Sequence, residues 1–413
     1  MNESPQPPVL QRRLSFTMIV LYGLGTTIGA GIYVLIGKVA GAAGIFAPFS
    51  FIMATILAGF SVFSFAELSS RFPFSAGEAV YVAKGLGSRR LALVVGLAVM
   101  LAGIVSSAAI SRGFLGYLGE FMVVTDWIAI VCLVLVLGAI AFWGIGQSVF
   151  LAGVATVIEC VGLLIVIVAA SGSLTTLPDR ALSMIPGFEI SAWSGIFAGA
   201  VLAFYAFLGF EDMVNVAEEV KDVNRTLPRA LIVTLVVTAV FYILLTLVAV
   251  LSLSIEELTT SPAPLALLFE RSTGASSTVI SVIALVAILN GALVQIIMAS
   301  RVIYGLSMRD MAPKYFGRIH RVTHTPYIAT AFVTVAVLIF ALWLPLVSLA
   351  GITAILTLII FALVNLSLWR IKATEKSAPD KDLVVQYPIW VPIIGFAGSS
   401  GFVILLALGA MKA

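Results

Sequence analysis

The sequence predicts an all-α integral membrane protein of eleven transmembrane helices. Ten form a 5+5 inverted repeat, two five-helix halves of opposite topology, and one extra helix follows them. Three observations carry this reading. The 413 residues are 61% apolar and 10% charged, against about 25% charged residues in soluble domains. Apolar runs long enough to cross a bilayer recur along the chain. The first and sixth of these runs are interrupted at mid-depth by glycine.

The runs fall near 16–36, 45–66, 91–118, 127–143, 148–170, 193–215, 229–252, 278–304, 327–343, 346–369 and 391–411. Ahead of them, MNESPQPPVLQRRLS is polar, proline-rich and basic. It has no short apolar core followed by a small-residue cleavage site, so it reads as no cleaved signal peptide. With the N-terminus inside, 18 of the 23 Lys and Arg fall in inner segments and five in outer ones. That asymmetry is a positive-inside signal. It predicts a multi-pass inner-membrane protein with a cytoplasmic N-terminus and a C-terminus outside. The whole chain, 1–413, reads as one membrane domain, with one repeat near 15–170, a second near 193–369 and the added helix near 391–411. Cys132 and Cys160 both lie inside apolar runs and suggest neither a disulfide framework nor a metal site. The net charge of +3 is small and gives no reason to expect nucleic acid.

The first run holds Gly25-Thr26-Thr27-Ile28-Gly29-Ala30-Gly31 at its centre. Each glycine costs roughly 1 kcal/mol against alanine inside a helix. Broken backbone at membrane depth is tolerated only where it lines a cavity enclosed by protein. The sixth run repeats the interruption in Phe204-Tyr205-Ala206-Phe207-Leu208-Gly209-Phe210-Glu211-Asp212. Interrupted helices at matching places in two inverted halves are a substrate-site signal of secondary transporters. Close helix packing is the competing use of Gly25-x-x-x-Gly29. A phosphate loop is excluded, because no strand precedes the glycines and no Lys-Ser/Thr follows them.

Five groups of residues, in order, then resemble one family. They are Gly25–Tyr33 in span one; Ala66-Glu67-Leu68 with Arg71, Pro73, Gly77 and Tyr81; Phe207–Glu211 with Ala217–Lys221, Arg225 and Pro228; Ser300-Arg301 with Tyr304, Arg309-Asp310, Pro313 and Pro326; and Tyr387–Pro392. Over nearly its whole length the chain is similar to the amino acid permeases of the amino acid–polyamine–organocation (APC) superfamily. The resemblance implies a leucine-transporter-like fold and transport of amino acids by alternating access. Symport with protons is the first expectation; exchange and polyamine or other organic-cation transport are the alternatives. It implies no enzyme activity, no cofactor and no metal. The implied partners are a small amino acid, protons and the lipid bilayer.

An amino acid carries a carboxylate and an ammonium on one carbon. The amides of Ala30, Gly31 and Ile32, opening the outer half of span one, suit the carboxylate, and Gly29 and Gly31 let it approach bare backbone. By the resemblance, the carbonyls of Thr27, Tyr205 and Leu208 take the ammonium beside Gly209, and the Tyr205 ring closes over the substrate. Spans three and eight are expected to line the side-chain pocket, with Ser106, Ser107 and Asn290 as weak candidates.

Glu159 stands where many proton-coupled relatives carry a lysine in span five. An intramembrane carboxylate usually faces the bundle interior and serves a function. It is expected to donate, when protonated, to span-one carbonyls near Gly25. A purely structural bond between helices is the equal alternative. Glu211 matches a common acidic position and is expected to join an inner gate or sense protons; Asp212 has no such match. Glu67 with Arg71 reads as an inner gate. Glu218 and Glu219 read as salt-bridging with Lys221, Arg225 and Arg229. Val282–Ala299 contains no Ser or Thr, which ranks sodium coupling below protons or exchange. His320 and His324 have zinc spacing but no further ligand nearby, so they read as loop residues. Tyr387–Pro392 reads as an interfacial approach to the last helix.

Overall fold

The computed structural model describes residues 11–118, 121–122, 124–261, 263–344, 346–375 and 385–410. Residues 1–10, Lys376, Lys381 and Lys412 lie outside the described residues.

Helix α1 (Phe16–Thr27) starts at Ser15, whose hydroxyl accepts the Met18 N–H. It gives way at Ile28 to α2 (Gly29–Ala43). A short 3-10 turn at Gly44–Phe46 leads into α3 (Ala47–Arg71), which carries Pro48 in its first turn, where no N–H is needed. The short α4 (Gly77–Leu86) ends at Gly87 in the left-handed conformation. Then come α5 (Arg89–Leu118), α6 (Asp126–Trp143) and α7 (Ile145–Ala170). A 3-10 turn and α8 (Leu177–Met184) connect to α9 (Ile190–Ala206). Residues Phe210–Glu219 form a 3-10 segment before α10 (Val223–Ser252). Two short helices follow, α11 (Ile255–Thr260) and α12 (Pro264–Thr273). The chain continues through α13 (Thr278–Ser307), α14 (Tyr327–Trp343), α15 (Leu346–Thr374) and α16 (Trp390–Ala410).

Among the described residues, eight helices are long and apolar enough to cross a membrane, and three shorter apolar helices accompany them at Ile190–Phe204, Tyr327–Trp343 and Trp390–Ile404. Large apolar side chains such as Val94, Phe150 and Val168 point outward from the bundle, as expected of faces that meet lipid rather than water. The sixth run, expected to reach 215, stays α-helical only to Ala206. Gly209, at φ +127°, cannot continue an α-helix.

Within the bundle, α3 packs on α10, α5 on α13 and α6 on α14. Helix α1 packs on α10, and α9 packs on α3. The added helix α16 packs on α15 and α3. Below the break in span six, Phe210 meets Phe65 of α3 and Phe361 of α15 at ring distances of 5.7 and 5.2 Å. All three rings are fully buried, so this aromatic cluster pins the unwound segment in place.

Candidate functional site

The two helix breaks meet. A Cβ at Gly209 would lie 2.6 Å from the Thr26 carbonyl oxygen and 3.1 Å from the Thr27 nitrogen. A Cβ at Gly31 would lie 3.4 Å from the Ala206 Cα. The sequence thus brings two backbones together where any larger residue at 209 would hold them apart.

Each helix end leaves carbonyls without intrahelical partners. Tyr242 of α10 answers both. Its hydroxyl donates to the Thr27 carbonyl at 2.7 Å, with the Ala206 carbonyl 3.0 Å away. Tyr242 is fully buried, and its ring packs against Phe51 and Phe207. Sequence reasoning missed this residue. A tyrosine in an apolar run looks like packing until the fold places it between two helix ends. The Thr26 and Thr27 hydroxyls turn back onto the Gly23 carbonyl, each at 2.8 Å. Such bonds compete with the helix ladder just ahead of the break.

Beside the breaks lies a cavity of about 150 Å³. Thr26, Thr27, Gly29, Gly31, Ala206, Leu208 and Gly209 line it from the broken helices. Val99, Ala102, Gly103, Ser106 and Ile110 of α5 and Gly291, Gln295 and Met298 of α13 form its sides. Thr353, Thr357 and Ile360 add a wall from α15 that the sequence did not suggest. Helix α2 begins at Gly29. The amides of Gly29, Ala30 and Gly31 therefore precede the first intrahelical bond, which the N–H of Ile32 begins. Of the expected trio Ala30, Gly31 and Ile32, Gly31 lines the cavity, whereas Ile32 is fully buried and does not. The side chains of Ala30 and Tyr205 lie outside the described residues, so the ring over the substrate is not described either.

The cavity also holds acids. Glu211 caps the second break, accepting the Gly209 N–H at 2.7 Å. Asp212, buried, accepts from Gln295 Nε2 at 2.5 Å. Glu78 reaches the cavity from α4, outside the spans, and its Oε1 accepts from Asn215 Nδ2 at 3.1 Å. Burial pushes the Glu78 carboxyl up to about 8, against the opposing pull of hydrogen bonds from its own backbone and Asn215.

The other candidates lie elsewhere. Glu159 of α7 is fully buried, and among the described residues neither of its carboxylate oxygens has a hydrogen-bond partner. The expected bond to carbonyls near Gly25 is therefore not made. Thr156 and Asn290 crowd Gly25 instead, and Asn290 Nδ2 donates to Thr156 Oγ1 at 2.9 Å. Ser106 lines the cavity, whereas Ser107 donates to the Ala292 carbonyl at 3.0 Å. Glu67 sits away from the cavity in a clasp. It pairs with Arg71 at 2.6 Å and Lys372 at 2.7 Å, and accepts the Tyr387 N–H at 2.9 Å. Glu218 and Glu219 are ion-paired, but not with the loop cations expected. Their partners are Arg309 at 3.4 Å and the fully buried Arg301 at 3.3 Å, because α13 ends beside this loop. His320 and His324 hold their own loop. The His320 ring accepts from the Thr323 N–H at 3.3 Å, and the His324 ring lies 3.1 Å from Gln11 Nε2.

Comparison with known proteins supplies the context. The family model described as amino acid permease matches residues 14–412. The chain is 30% identical over 384 residues to the Arabidopsis thaliana cationic amino acid transporter 2, vacuolar. That match covers 87% of this chain and 59% of the plant protein, so the chain spans about three fifths of that relative's length. It is 25% identical to the branched-chain amino acid permease BcaP of Bacillus subtilis, over 93% of this chain and 85% of BcaP. The crystal structure of MhsT in complex with L-phenylalanine superposes with a TM-score of 0.63 at 15% identity, covering 97% of this chain and 99% of MhsT. That likeness shows a shared leucine-transporter-type fold.

Proposed function

Because this chain belongs to the amino acid permease family, whose members here are transporters and not enzymes, we propose that it is a secondary active transporter carrying amino acids by alternating access, coupled to protons. The observation that carries the proposal is the meeting of two broken helices at a small cavity, with Gly209 against Thr26 and Tyr242 tying the two helix ends together.

The relatives differ in the side chains that their names imply, one cationic and one branched. What such substrates share is the α-carboxylate and α-ammonium, and a backbone site is suited to those groups. In this reading the amides of Gly29, Ala30 and Gly31 hold the carboxylate. The carbonyls of Thr27, Tyr205 and Leu208 take the ammonium, and the Tyr205 ring closes the cavity. Glu211, already bonded across the break, ties occupancy to the inner half of span six. Glu67 holds the inner face closed through its clasp.

Helix packing supports the inverted repeat. If the broken helices count as spans one and six, contacts come in mirrored pairs. Span one on seven matches six on two; three on ten matches eight on five; three on nine matches eight on four. In this reading the chain has eleven spans, with the N-terminus inside and the C-terminus outside as the distribution of basic residues suggests.

Glu159 is the coupling group. It is a buried carboxyl with unpartnered oxygens on α7, which packs on α1 and α10. Purified protein in proteoliposomes tests this. An imposed pH gradient is expected to drive uptake of labelled amino acid. Glu159→Gln is expected to abolish accumulation while leaving exchange across the membrane. Full gradient-driven uptake by Glu159→Gln would sink the coupling role.

A further inference from the structure

The acidic part of the cavity is built differently from its backbone-lined part. Glu78, Glu211 and Asp212 all line it, and no Lys, Arg or His does among the described residues. Nearby, Arg301 is engaged by Glu219. Each of the three acids accepts a hydrogen bond, Glu211 from Gly209, Asp212 from Gln295 and Glu78, on Oε1, from Asn215. The other oxygen of Glu78, Oε2, is buried with no hydrogen-bond partner among the described residues. An unsatisfied buried carboxylate oxygen costs on the order of 1–3 kcal/mol or more. A cavity that faces one with two further acids is complementary to a positive charge brought from outside.

Resting on the amino acid transport reading above, we propose that this carboxylate floor, with Glu78 as its open position, binds the side-chain cation of a basic amino acid. The remaining lining suits such a ligand. Val99, Ala102, Met298 and Ile360 line the same cavity and offer an alkyl stem apolar contact while its charged head meets the acids. A bare metal ion is the poorer occupant, because among the described residues no three His, Cys, Asp or Glu side chains are grouped closely enough to hold one.

The sequence marks only part of this site. Glu211 and Asp212 were visible as acids after the break. Glu78 lies 133 positions earlier, in the turn of chain after span two, and only the fold brings α4 against the unwound segment.

The test is equilibrium binding to the purified full-length protein in lipid nanodiscs, with L-lysine, L-norleucine and cadaverine as probes. Norleucine keeps the stem and both α-groups but lacks the ammonium; cadaverine keeps both cations but lacks the carboxylate. We expect lysine to bind at least about tenfold tighter than norleucine. Glu78→Gln should bring that ratio close to one, Glu78→Asp should recover part of it, and Asp212→Asn should lower it if the Glu78 variants do not fold. Equal affinities for lysine and norleucine in the wild type, or an unchanged ratio in Glu78→Gln, would overturn the cation site while leaving amino acid transport standing. Tight binding of cadaverine with none of either amino acid, sensitive to Glu78→Gln, would uphold the cation site and overturn the amino acid reading. Binding of no probe would overturn both.

Discussion

The two helix breaks look alike in sequence and differ in construction. The first has three glycines and two threonines, yet α1 passes to α2 through a single residue, Ile28, that keeps right-handed helical angles. The second has one glycine, and there the helix is truly lost. Gly209 takes φ +127°, and the ten following residues run as a 3-10 segment. Helix-weakening composition therefore does not measure the depth of a break. A single position that only glycine can occupy does more than a cluster of glycines with ordinary angles. The division also separates roles. The first break exposes N–H groups and no charge; the second places acids at the cavity.

Alanine substitutions break this comparison most sharply. Gly209→Ala combines a disfavoured φ with a Cβ driven against the Thr26 carbonyl. We expect loss of the monodisperse folded protein in size-exclusion chromatography, and loss of uptake with it. Gly29→Ala should fold normally, since its Cβ would meet nothing within 4 Å, and alanine is the better helix former by roughly 0.5–1 kcal/mol. Its methyl enters the cavity, so uptake should fall about tenfold while the melting temperature holds or rises.

Tyr242→Phe comes next, because it removes only the hydroxyl shared by the two helix ends. Leaving those carbonyls unsatisfied should cost about 1–3 kcal/mol, read as a lower melting temperature together with a reduced uptake rate. A variant with wild-type stability would mean that the breaks hold together without it.

A smaller effect separates the backbone-lined centre from the acidic floor. Glu78 is pushed up to about 8 by burial, and it faces Glu211, Asp212 and Tyr81. Below that pH it is largely neutral and attracts a cation weakly. Lysine affinity should therefore rise several-fold from pH 6.5 to 8.5 and stay flat in Glu78→Gln. Without ligand the sign for stability is opposite. The folded carboxyl holds its proton more tightly than the unfolded one, whose reference value is 4.5. This group's contribution thus falls as pH rises from about 4.5 toward about 8 and is level above that.

Much of the fold was legible because hydropathy and charge asymmetry report directly on spans. The apolar runs at 327–343 and 278–304 match α14 and α13 closely. Hydropathy overran the sixth span for the reason that Gly209 illustrates: it records which residues tolerate lipid depth, not which backbone angles they take. The short α4, α8, α11 and α12 were not anticipated, since each is a connection of mixed polarity. At the site, Gly29, Gly31 and Gly209 were readable from local pattern and Thr27, Leu208 and Glu211 through the family resemblance, and all line the cavity. Tyr242, Glu78 and the α15 wall were not, because their roles depend on which helices become neighbours. Glu67 shows the converse. Its spacing to Arg71 gave the ion pair, but the third and fourth partners, Lys372 and Tyr387, come from the far end of the chain.

Counterflow in proteoliposomes tests the central claim most directly. Vesicles containing the purified protein and preloaded with unlabelled L-lysine are diluted into labelled L-lysine, alongside vesicles containing Gly29→Val. In that variant the added side chain would enter the open space beside the breaks. A binding site between the two breaks predicts transient accumulation of label in the wild type and none in the variant, with both proteins monodisperse. Accumulation at the wild-type rate by Gly29→Val would contradict it.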